Sequence, residues 1–599
     1  MNRRPLLNRR SFVQQSLVGG AGLVVLGGAS AATVAGERDS LSSGEPDSTL
    51  QGDANTTADF ADRRWVEHTY FLTRKVSQPE RFSSDPVIAD LSRQPSSVAE
   101  AKTAGTALER EDEGTPRVSA GPGKDPGWGG NPASAMGTVL PTQDGLAMWY
   151  VSPHRVEEPG GKLIGYDSVV RYAVSKDGRQ FQQPDLGLCS FRGSRANNVV
   201  IGLSSNDRRG LPLSGPRGCS GFCILDATRQ PVPHARGRFT ALYRTSVPKR
   251  GSGLFLAWSD DGLQWNVYPE SPVAAGSDTY CNFTYDPRSQ RYGLYTRPSA
   301  APDGIRAGPR GVRSLLSRLE SSDLIHWGNE RVVFDTDEAD APAQGSIRLG
   351  REESAADVAR GRDVVCYGMT VSPHQGGFIG VAQIYDTVSG HMWCELAHSR
   401  DGIAWQREPR REPFIPIGPA GAWDSGMVGF TAAGGPAPVG DDWYFYYTGN
   451  NWTHHFKLTA FPERGRMWQI GGVRLKRGRW VGYWTGAQRT DSAPSPAGRG
   501  VSAAWANRGE LLTRPFRFNG TTIHLNADAR RGRVTVGVCD AEGRPLAGFG
   551  PEQAVPLQGD GVQLPLAYGA GSTLASLRGR TIRLRLHLES AAVFGLSFG

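Results

Sequence analysis

The chain has 599 residues, including 77 glycines and 40 prolines, and 21% of its residues are charged. This length exceeds what one hydrophobic core usually supports, so we expect two or more domains. Abundant turn-forming residues and scarce helical periodicity favour an all-β protein. The net charge is +8, but four arginines lie in the first 31 residues, so the 67 basic residues fall to 63 against 59 acidic ones, a balance of +4. Such a small charge argues against a nucleic-acid partner.

The N-terminus reads "NRRSFVQQSLVGGAGLVVLGGASAATVA". Arg9 and Arg10, a glycine-rich apolar run and small residues at Ala31 and Ala35 are typical of a twin-arginine export signal over residues 1–35, which predicts a periplasmic or secreted protein. The alternative is a membrane anchor, which needs about 20 apolar residues, more than this run offers. No other stretch could span a bilayer, so we expect no membrane span in the mature chain. Residues 36–58 are polar and predict a disordered linker.

A short turn recurs four times along the chain, as "SKDGRQF", "SDDGLQW", "SSDLIHW" and "SRDGIAW". The turns start at Ser175, Ser259, Ser321 and Ser399, and each is followed by an aromatic residue (Phe181, Trp265, Trp327, Trp405). A repeated turn with a fixed aromatic is typical of a β-propeller, in which the aromatic packs between blades. We therefore expect these four side chains to be mostly buried.

Short apolar-alternating runs around these turns predict five consecutive units, at about 128–181, 194–265, 277–327, 363–405 and 421–484. They favour a five-bladed β-propeller over residues 59–490. A linker-like stretch, "DSAPSPAGRG", precedes a tail of alternating strands, which predicts a C-terminal β-sandwich over 491–599. The sequence does not indicate whether that sandwich binds carbohydrate or only packs against the propeller.

Seven cysteines are scattered along the chain, and "GCSGFC" brings Cys219 and Cys223 close together. In an exported protein this pair could form a local disulfide or stay free in a loop, while a metal site would lack its second half. The sequence indicates no cofactor and no metal ligands, although it leaves open whether a structural cation binds in the central funnel of the propeller. The oligomeric state is not indicated.

Polar residues at the start of each innermost strand would meet in the propeller funnel. Carboxylates converging there could supply the acid and the base or nucleophile of glycosidic-bond cleavage, although any single aspartate could instead cap a turn. The catalytic candidates are Asp278, Asp424 and, farther out, Glu395. The candidates for binding a sugar are Asp125, Trp128, Asn198, Asn282, Trp423 and His454.

The stretches "GSRANNVV", "GSDTYCNFTYD", "GAWDSGMV" and "DDWYFYYTGNNWTHH" resemble the β-propeller glycoside hydrolases of families 32, 43 and 62. Their order is similar to that in a group of exported bacterial proteins, chiefly from planctomycetes, described as family 32-like. The resemblance spans about residues 58–599 and implies a glycosidase fold and a carbohydrate substrate.

The motifs of family 32 are only partly present. The stretch "KDPGWGGNP" resembles the nucleophile motif Asn-Asp-Pro-Asn only loosely. The stretch "GSDT" stands where the transition-state stabiliser is expected, but it lacks the arginine that precedes that aspartate in the family. The stretch "WCEL" around Glu395 reverses the Glu-Cys order of the acid/base motif. Three hypotheses follow. The first is an exported glycoside hydrolase, the second is a carbohydrate-binding propeller without catalysis, and the third is a structural scaffold with an apolar or plugged funnel.

Overall fold

Strands form most of the regular structure of the protein. The computed structural model describes residues 50–70, 72–82, 87–88, 132–157, 163–191, 193–276, 281–298, 315–336, 340, 364–386, 389–455, 457–461, 466–485, 507–569 and 571–599. These residues belong to one compact unit, Thr49–Gly599. Within them, no helix is long and apolar enough to cross a membrane.

Five short strands come first along the described chain. They are β1 Gln51–Gly52, β2 Thr57–Asp59, β3 Val66–Tyr70, β4 Thr73–Val76 and β5 Glu80–Arg81, with a 3-10 helix at Arg63–Trp65.

Five antiparallel meanders follow, and we number them in chain order; the first three each contain four sequential strands. Meander 1 contains β6 Ser134–Thr142, β7 Gly145–Glu157, β8 Leu163–Ser175 and β9 Val199–Ile201; meander 2 contains β10 Cys219–Asp226, β11 Phe239–Val247, β12 Gly251–Ser259 and β13 Asn266–Val267. Meander 3 contains β14 Asn282–Asp286, β15 Arg291–Thr296, β16 Leu316–Ser321 and β17 Gly328–Phe334.

Meanders 4 and 5 share a ten-stranded sheet, joined by one parallel bridge between Met392 and Met427. Meander 4 contains β18 Val364–His374, β19 Gly377–Asp386, β20 Met392–Ser399 and β21 Trp405–Arg407, with β22 Pro413–Ile415 also on β20. Meander 5 contains β23 Met427–Gly429, β24 Ala437–Val439, β25 Asp442–Asn450 and β26 Trp468–Lys476, and both β23 and β24 pair with β25. The N-terminal strand β5 pairs with β26 and is the last strand of this meander.

The remaining strands form an eleven-stranded C-terminal sheet that also includes β1 to β4. They are β27 Val481–Trp484, β28 Arg508–Thr513, β29 Phe516–Phe518, β30 Ile523–Cys539, β31 Leu557–Pro565, β32 Thr581–Glu589 and β33 Ala592–Phe598, with a 3-10 helix at Leu574–Leu577.

Hydrogen bonds link the first strands of the five meanders in a closed circuit. Between meanders 1 and 2, the Thr138 hydroxyl donates to the Phe222 carbonyl (2.8 Å). Asn282 in meander 3 bridges meanders 2 and 4, since its Nδ2 contacts Cys223 Sγ (3.5 Å) and its Oδ1 accepts from the Val371 backbone (2.9 Å).

Two further contacts close the circuit. The Thr370 hydroxyl in meander 4 donates to the Thr431 carbonyl, just past β23 (2.9 Å), and the Ala433 N–H donates to Gly137 in β6 (2.8 Å). Contacts from the first strands, and from the residues just after β23, therefore connect all five meanders in a ring of hydrogen bonds.

A separate apolar cluster fills each interface between consecutive meanders. Phe222 and Trp149 belong to the cluster between meanders 1 and 2, and the other four interfaces are filled in the same way. All ten residues of β19 are buried because both faces of this strand are covered. By contrast, burial alternates along β32 in the C-terminal sheet, so only one face of that strand packs in a core.

The aromatic residues after the recurring turns are less uniformly buried than the sequence predicted. Trp265 is 3% exposed, while Phe181, Trp327 and Trp405 are partly exposed. Phe181 packs on Tyr446 of meander 5, and Trp405 packs on Tyr295 of meander 3, so these two rings do lie between meanders. Their positions just beyond a surface turn account for their partial exposure.

The structure corrects three details of the sequence interpretation. The "NVVI" stretch with Asn198 leads into β9, the last strand of meander 1, rather than the first strand of the second unit. The "GCSGFC" stretch belongs to β10, which begins meander 2, and Cys219 and Cys223 are free and buried in it rather than in a loop. Residues 50–58 of the predicted disordered linker contain β1 and β2, which pair with the C-terminal sheet.

Candidate functional site

A cluster of aromatic side chains with one arginine lies at the end of the meanders where the first strands begin. Tyr367 is near the start of β18, Tyr385 is near the end of β19, and Arg297 directly follows β15. In an antiparallel meander the first strand starts at the edge where the second strand ends. These residues of meanders 3 and 4 therefore reach the same end of the molecule.

The geometry of the cluster is close and specific. The Arg297 guanidinium carbon lies 4.4 Å from the Tyr367 ring centroid, within the range of a cation–π interaction. His454, from the loop after β25, lies 4.8 Å from the Tyr385 ring and 5.5 Å from the Tyr367 ring, in edge-to-face orientations. Phe430 also packs against Tyr367, edge to face, with the ring centroids 5.9 Å apart.

The cluster extends from a buried base to an exposed rim. Arg297 is 7% exposed and Tyr385 is buried, whereas Tyr367 and His454 are partly exposed and His455 is exposed. The Tyr385 hydroxyl contacts His455 Nε2 (3.2 Å), and the His454 backbone N–H donates to the Gly390 carbonyl (2.8 Å). These contacts tie the "NNWTHH" loop to meander 4, so the rings at the rim are held in position.

This arrangement suits the binding of a carbohydrate. A sugar ring presents C–H groups on its faces, which pack on aromatic rings, and hydroxyls at its edges, which need donors and acceptors. Arg297 and His454 could supply these donors beside the Tyr367 ring. Asp386 directly follows Tyr385 in the chain. Its carboxylate accepts a hydrogen bond from the Ser389 hydroxyl (2.8 Å) and so stabilises the turn between β19 and β20.

Two of the predicted site residues, Trp423 and Asp424, pack in the interface between meanders 4 and 5. Trp423 belongs to the apolar cluster of that interface and stacks on Tyr447. Asp424 is 1% exposed, and its Oδ2 accepts from Arg81 Nε (3.1 Å) and from the Tyr447 hydroxyl (2.8 Å). Burial and the Asp424 charge raise the pKa of Tyr447, so its hydroxyl stays protonated and donates.

Glu395 is also held in an ion pair away from the aromatic cluster. It is 3% exposed on β20, where it accepts hydrogen bonds from Trp393 Nε1 (2.9 Å) and Arg407 (2.6 Å). Arg407 also binds Asp340 (2.6 Å). Burial raises the pKa of Glu395, and the Arg407 charge opposes that rise.

Asn198 and Asn282 have structural contacts. Asn198 accepts from Arg171 (2.8 Å) and donates to Tyr150 and to the Tyr172 carbonyl (3.0 and 2.7 Å), while Asn282 belongs to the circuit of first strands. His454 is the one described candidate that the structure brings into the aromatic cluster. The candidates Asp278, Asp125 and Trp128 lie outside the described residues. Among the residues that the structure does describe, no group of three or more His, Cys, Asp or Glu side chains could hold a metal ion.

Arg297, Tyr367 and Tyr385 were not singled out from the sequence. Most of the candidates from the sequence lie at the starts of predicted first strands, whereas Arg297 and Tyr385 come from the ends of second strands. The same reasoning applied to "LYTRP" and "QIYD" would have found them, because both stretches end at the edge where β14 and β18 begin.

Comparisons with known proteins found similarity in structure only. No protein-family model and no curated protein matches the chain. A glycosyl hydrolase from Bacteroides ovatus aligns with a TM-score of 0.37 and 15% identity, covering 67% of this chain and 94% of that chain. A β-1,2-mannobiose phosphorylase from Listeria innocua aligns with a TM-score of 0.40 and 13% identity, covering 67% and 97%.

A thermostable family-43 glycoside hydrolase aligns with a TM-score of 0.37 and 11% identity, covering 63% of this chain and 99% of that chain. These neighbours therefore include a family that the sequence resemblance names. The resemblance to the planctomycete group stays a prediction. The chain is an all-β protein whose structural neighbours are glycoside hydrolases and a phosphorylase.

Proposed function

We propose that the five meanders, β6 to β26 with β5, are the blades of a five-bladed β-propeller, and that the C-terminal sheet is a β-sandwich. The propeller is then shorter than residues 59–490 and the sandwich larger than 491–599, because β1 to β4 and β27 also belong to the C-terminal sheet. The closed circuit of hydrogen bonds between the first strands supports the propeller. The five apolar clusters, one at each interface between meanders, also support it. In this arrangement the aromatic cluster lies at the mouth of the funnel.

We further propose that the protein is an exported glycoside hydrolase-like protein that cleaves glycosidic bonds in an oligosaccharide or polysaccharide. The observation that carries this proposal is the cluster of Arg297, Tyr367, Tyr385 and His454 at the end where the first strands begin. Asp278 precedes β14 by four residues and so comes just before the start of a first strand. We assign it the role of base or nucleophile.

The test combines two variants with a matched control. Tyr367→Ala should lower kcat/KM about tenfold, since a lost aromatic contact is worth about 1.5 kcal/mol. Asp278→Asn should abolish turnover without a change in melting temperature. Arg544→Ala should leave kcat/KM unchanged, because this 73% exposed side chain lies in the turn after β30, in the C-terminal part of the chain. Full turnover by Asp278→Asn on a substrate that the wild type cleaves would contradict the catalytic assignment.

A specific observation favours a second candidate function, a carbohydrate-binding propeller without catalysis. Both described catalytic candidates, Asp424 and Glu395, are buried in contacts with arginines. For a binding protein, titration calorimetry should detect oligosaccharide binding, and long incubation with the oligosaccharide should release no reducing sugar. Loss of that binding in Tyr367→Ala would place it at the aromatic cluster.

We also propose that residues 1–35 direct export through the twin-arginine pathway. Replacing Arg9 and Arg10 with lysine keeps the charge but removes the arginine pair. Cell fractionation should then find the protein in the cytoplasm. Normal periplasmic accumulation of this variant would contradict the assignment.

A further inference from the structure

A groove with a volume of ≈ 990 Å³ lies on the C-terminal sheet, away from the five meanders. Its floor is the uncovered face of three neighbouring strands, β28, β32 and β30. The volume is within the range of about 300–1,000 Å³ that is typical of ligand sites.

The floor consists of cross-strand rows of polar side chains. In the first row, Glu589 lies between Arg508 and Arg533 and pairs with both (3.4 and 2.9 Å). In the second row, His587 lies between Glu510 and Thr535, and its Nδ1 is 3.6 Å from a Glu510 carboxylate oxygen. The rows are two residues apart along each strand, about 6.8 Å.

A third row of residues completes the floor, and one of them contacts the loop that forms the wall of the groove. Arg585 lies between Leu512 and Gly537 and pairs with Glu510 (3.6 Å). A Cβ atom at Gly537 would lie 3.1 Å from Pro551 Cδ, so this glycine lets the loop that begins at Pro551 pack closely on β30.

The wall is a segment of that loop with its own hydrogen bonds. Residues 551–556 contribute Pro551, Glu552, Ala554 and Pro556 to the lining of the groove. The Ala554 backbone N–H donates to Gly550 (3.2 Å), and the Val555 N–H donates to Ala567 (2.8 Å). The groove is thus formed by paired strands and a hydrogen-bonded loop.

The charges in the groove are balanced, which restricts the class of ligand. Three arginines and three glutamates line it, and most of these charges pair within the floor. A strongly charged ligand would need an excess of the opposite sign, which the lining lacks. Donors from arginine and acceptors from glutamate alternate instead, and a ligand rich in hydroxyls uses both.

We propose that this groove binds a neutral polysaccharide chain, as an accessory site separate from the aromatic cluster. The guanidinium groups donate hydrogen bonds to the hydroxyls at the edges of the sugar rings and the carboxylates accept them. Pro551, Pro556 and Leu512 offer apolar surface to the ring faces. The proposal does not depend on catalysis by the propeller.

The test is affinity electrophoresis of the full-length mature protein in native gels. The gels contain a mixed-linkage β-glucan, a galactomannan, an arabinan or, as the acidic comparison, polygalacturonate. We expect at least one neutral polymer to retard the wild type. The double variant Glu510→Ala with His587→Ala should weaken this retardation at least fivefold.

Two further variants make the result decisive. The double variant Arg508→Ala with Arg533→Ala removes the two guanidinium donors of the first row, and it should also weaken retardation. Arg544→Ala, with its partners Asp540 and Glu542 outside the groove, should migrate like the wild type. Equal melting temperatures would show that the variants are folded.

Three results would overturn the proposal: no retardation by any neutral polymer, retardation that persists in both groove variants, or retardation by polygalacturonate alone. Tyr367→Ala separates the two sites, since it should keep the retardation due to the groove. Retardation without any turnover would contradict the proposed hydrolase and leave the groove assignment in place.

Discussion

The indole Nε1 of Trp149 in meander 1 donates a 2.6 Å hydrogen bond to the carbonyl of Gly262, in the recurring turn of meander 2. The same relationship occurs twice more. The Tyr446 hydroxyl of meander 5 donates to Gly178 in the turn of meander 1 (2.7 Å). The recurring turn is therefore a contact between meanders as well as a hairpin.

The third example links meanders 3 and 4, where the Tyr295 hydroxyl donates to Gly402 (3.1 Å). The remaining turn, which starts at Ser321, has Leu324 in place of glycine, and the Leu324 side chain is fully buried in the cluster between meanders 2 and 3. Each turn thus packs on the preceding meander, by a hydrogen bond or by an apolar side chain.

We predict that Gly262→Ala destabilises the protein more than Gly210→Ala. Both glycines have a positive φ (74° and 81°), so alanine pays a similar backbone cost at each. Only at Gly262 would the new Cβ approach Trp149, to 2.5 Å, whereas no atom lies within 4 Å at Gly210. The extra loss should be about 1–3 kcal/mol in denaturant unfolding. Equal losses would mean that the Trp149 contact does not constrain the turn.

Removing one hydroxyl tests the contact between meanders 5 and 1. Tyr446→Phe should lower the free energy of unfolding by about 0.5–1.5 kcal/mol, because the hydrogen bond to Gly178 is lost with little change in packing. Tyr444→Phe is the matched control on the same strand, since the Tyr444 hydroxyl has no hydrogen-bond partner among the described residues. A loss as large for Tyr444→Phe would contradict this account.

The turn aspartates should make stability depend on pH in acid. Burial raises the pKa of the Asp261 carboxyl, but hydrogen bonds from the Gln264 and Leu263 N–H groups and the Ser259 hydroxyl lower it by more. The net effect is a pKa below the ordinary range of an aspartate. The pKa values of Asp177 and Asp401 are lowered by equivalent bonds.

A carboxylate whose pKa is lowered by folding stabilises the folded state above its unfolded pKa, and this stability is lost as the pH falls through the folded pKa. The wild type should therefore lose stability below about pH 4. Asp261→Asn should show a smaller loss between pH 4 and pH 2 in urea titrations. Parallel pH curves for the two proteins would refute the role of Asp261.

Asp424→Asn distinguishes a structural from a catalytic carboxylate. The structure places Asp424 against Arg81 and Tyr447, so the variant should lose about 1.5–3 kcal/mol of stability. The surface pair of Asp442 with Arg474 provides a control, since Asp442→Asn should cost less than about 1 kcal/mol. Abolished turnover with unchanged stability in Asp424→Asn would instead support the catalytic role predicted from the sequence.

The order of the meanders could be predicted because their turns are local. Each Ser-x-Asp pattern sets its own hydrogen bonds within a few residues, as at Ser399 and Asp401. The assignment of "NVVI" failed because the alternation of apolar residues shows that a strand exists and does not show which neighbour it pairs with.

The sequence could not indicate the partner of a side chain where that partner is distant in sequence. Asp424 is bound by Arg81, which lies 343 residues earlier on β5, and nothing near Asp424 signals that contact. The cluster of Arg297 and Tyr367 was missed for a similar reason, since it brings together two meanders. Local patterns reveal strands and turns, and only the assembled meanders determine which charges are paired.

The strands near the start of the described chain complete sheets made near its end. β5 is the last strand of meander 5, where Glu80 binds Arg474, 394 residues later, and β4 pairs with β27. Until β5 and β26 come together across the intervening chain, the edge of β26 stays unpaired, and an unpaired edge can pair with other chains. Such distant contacts also slow folding, because the entropy of closure is lost before the contacts form. A partly synthesised chain would therefore depend on chaperones that shield this edge, and we expect its assembly to finish only after synthesis is complete.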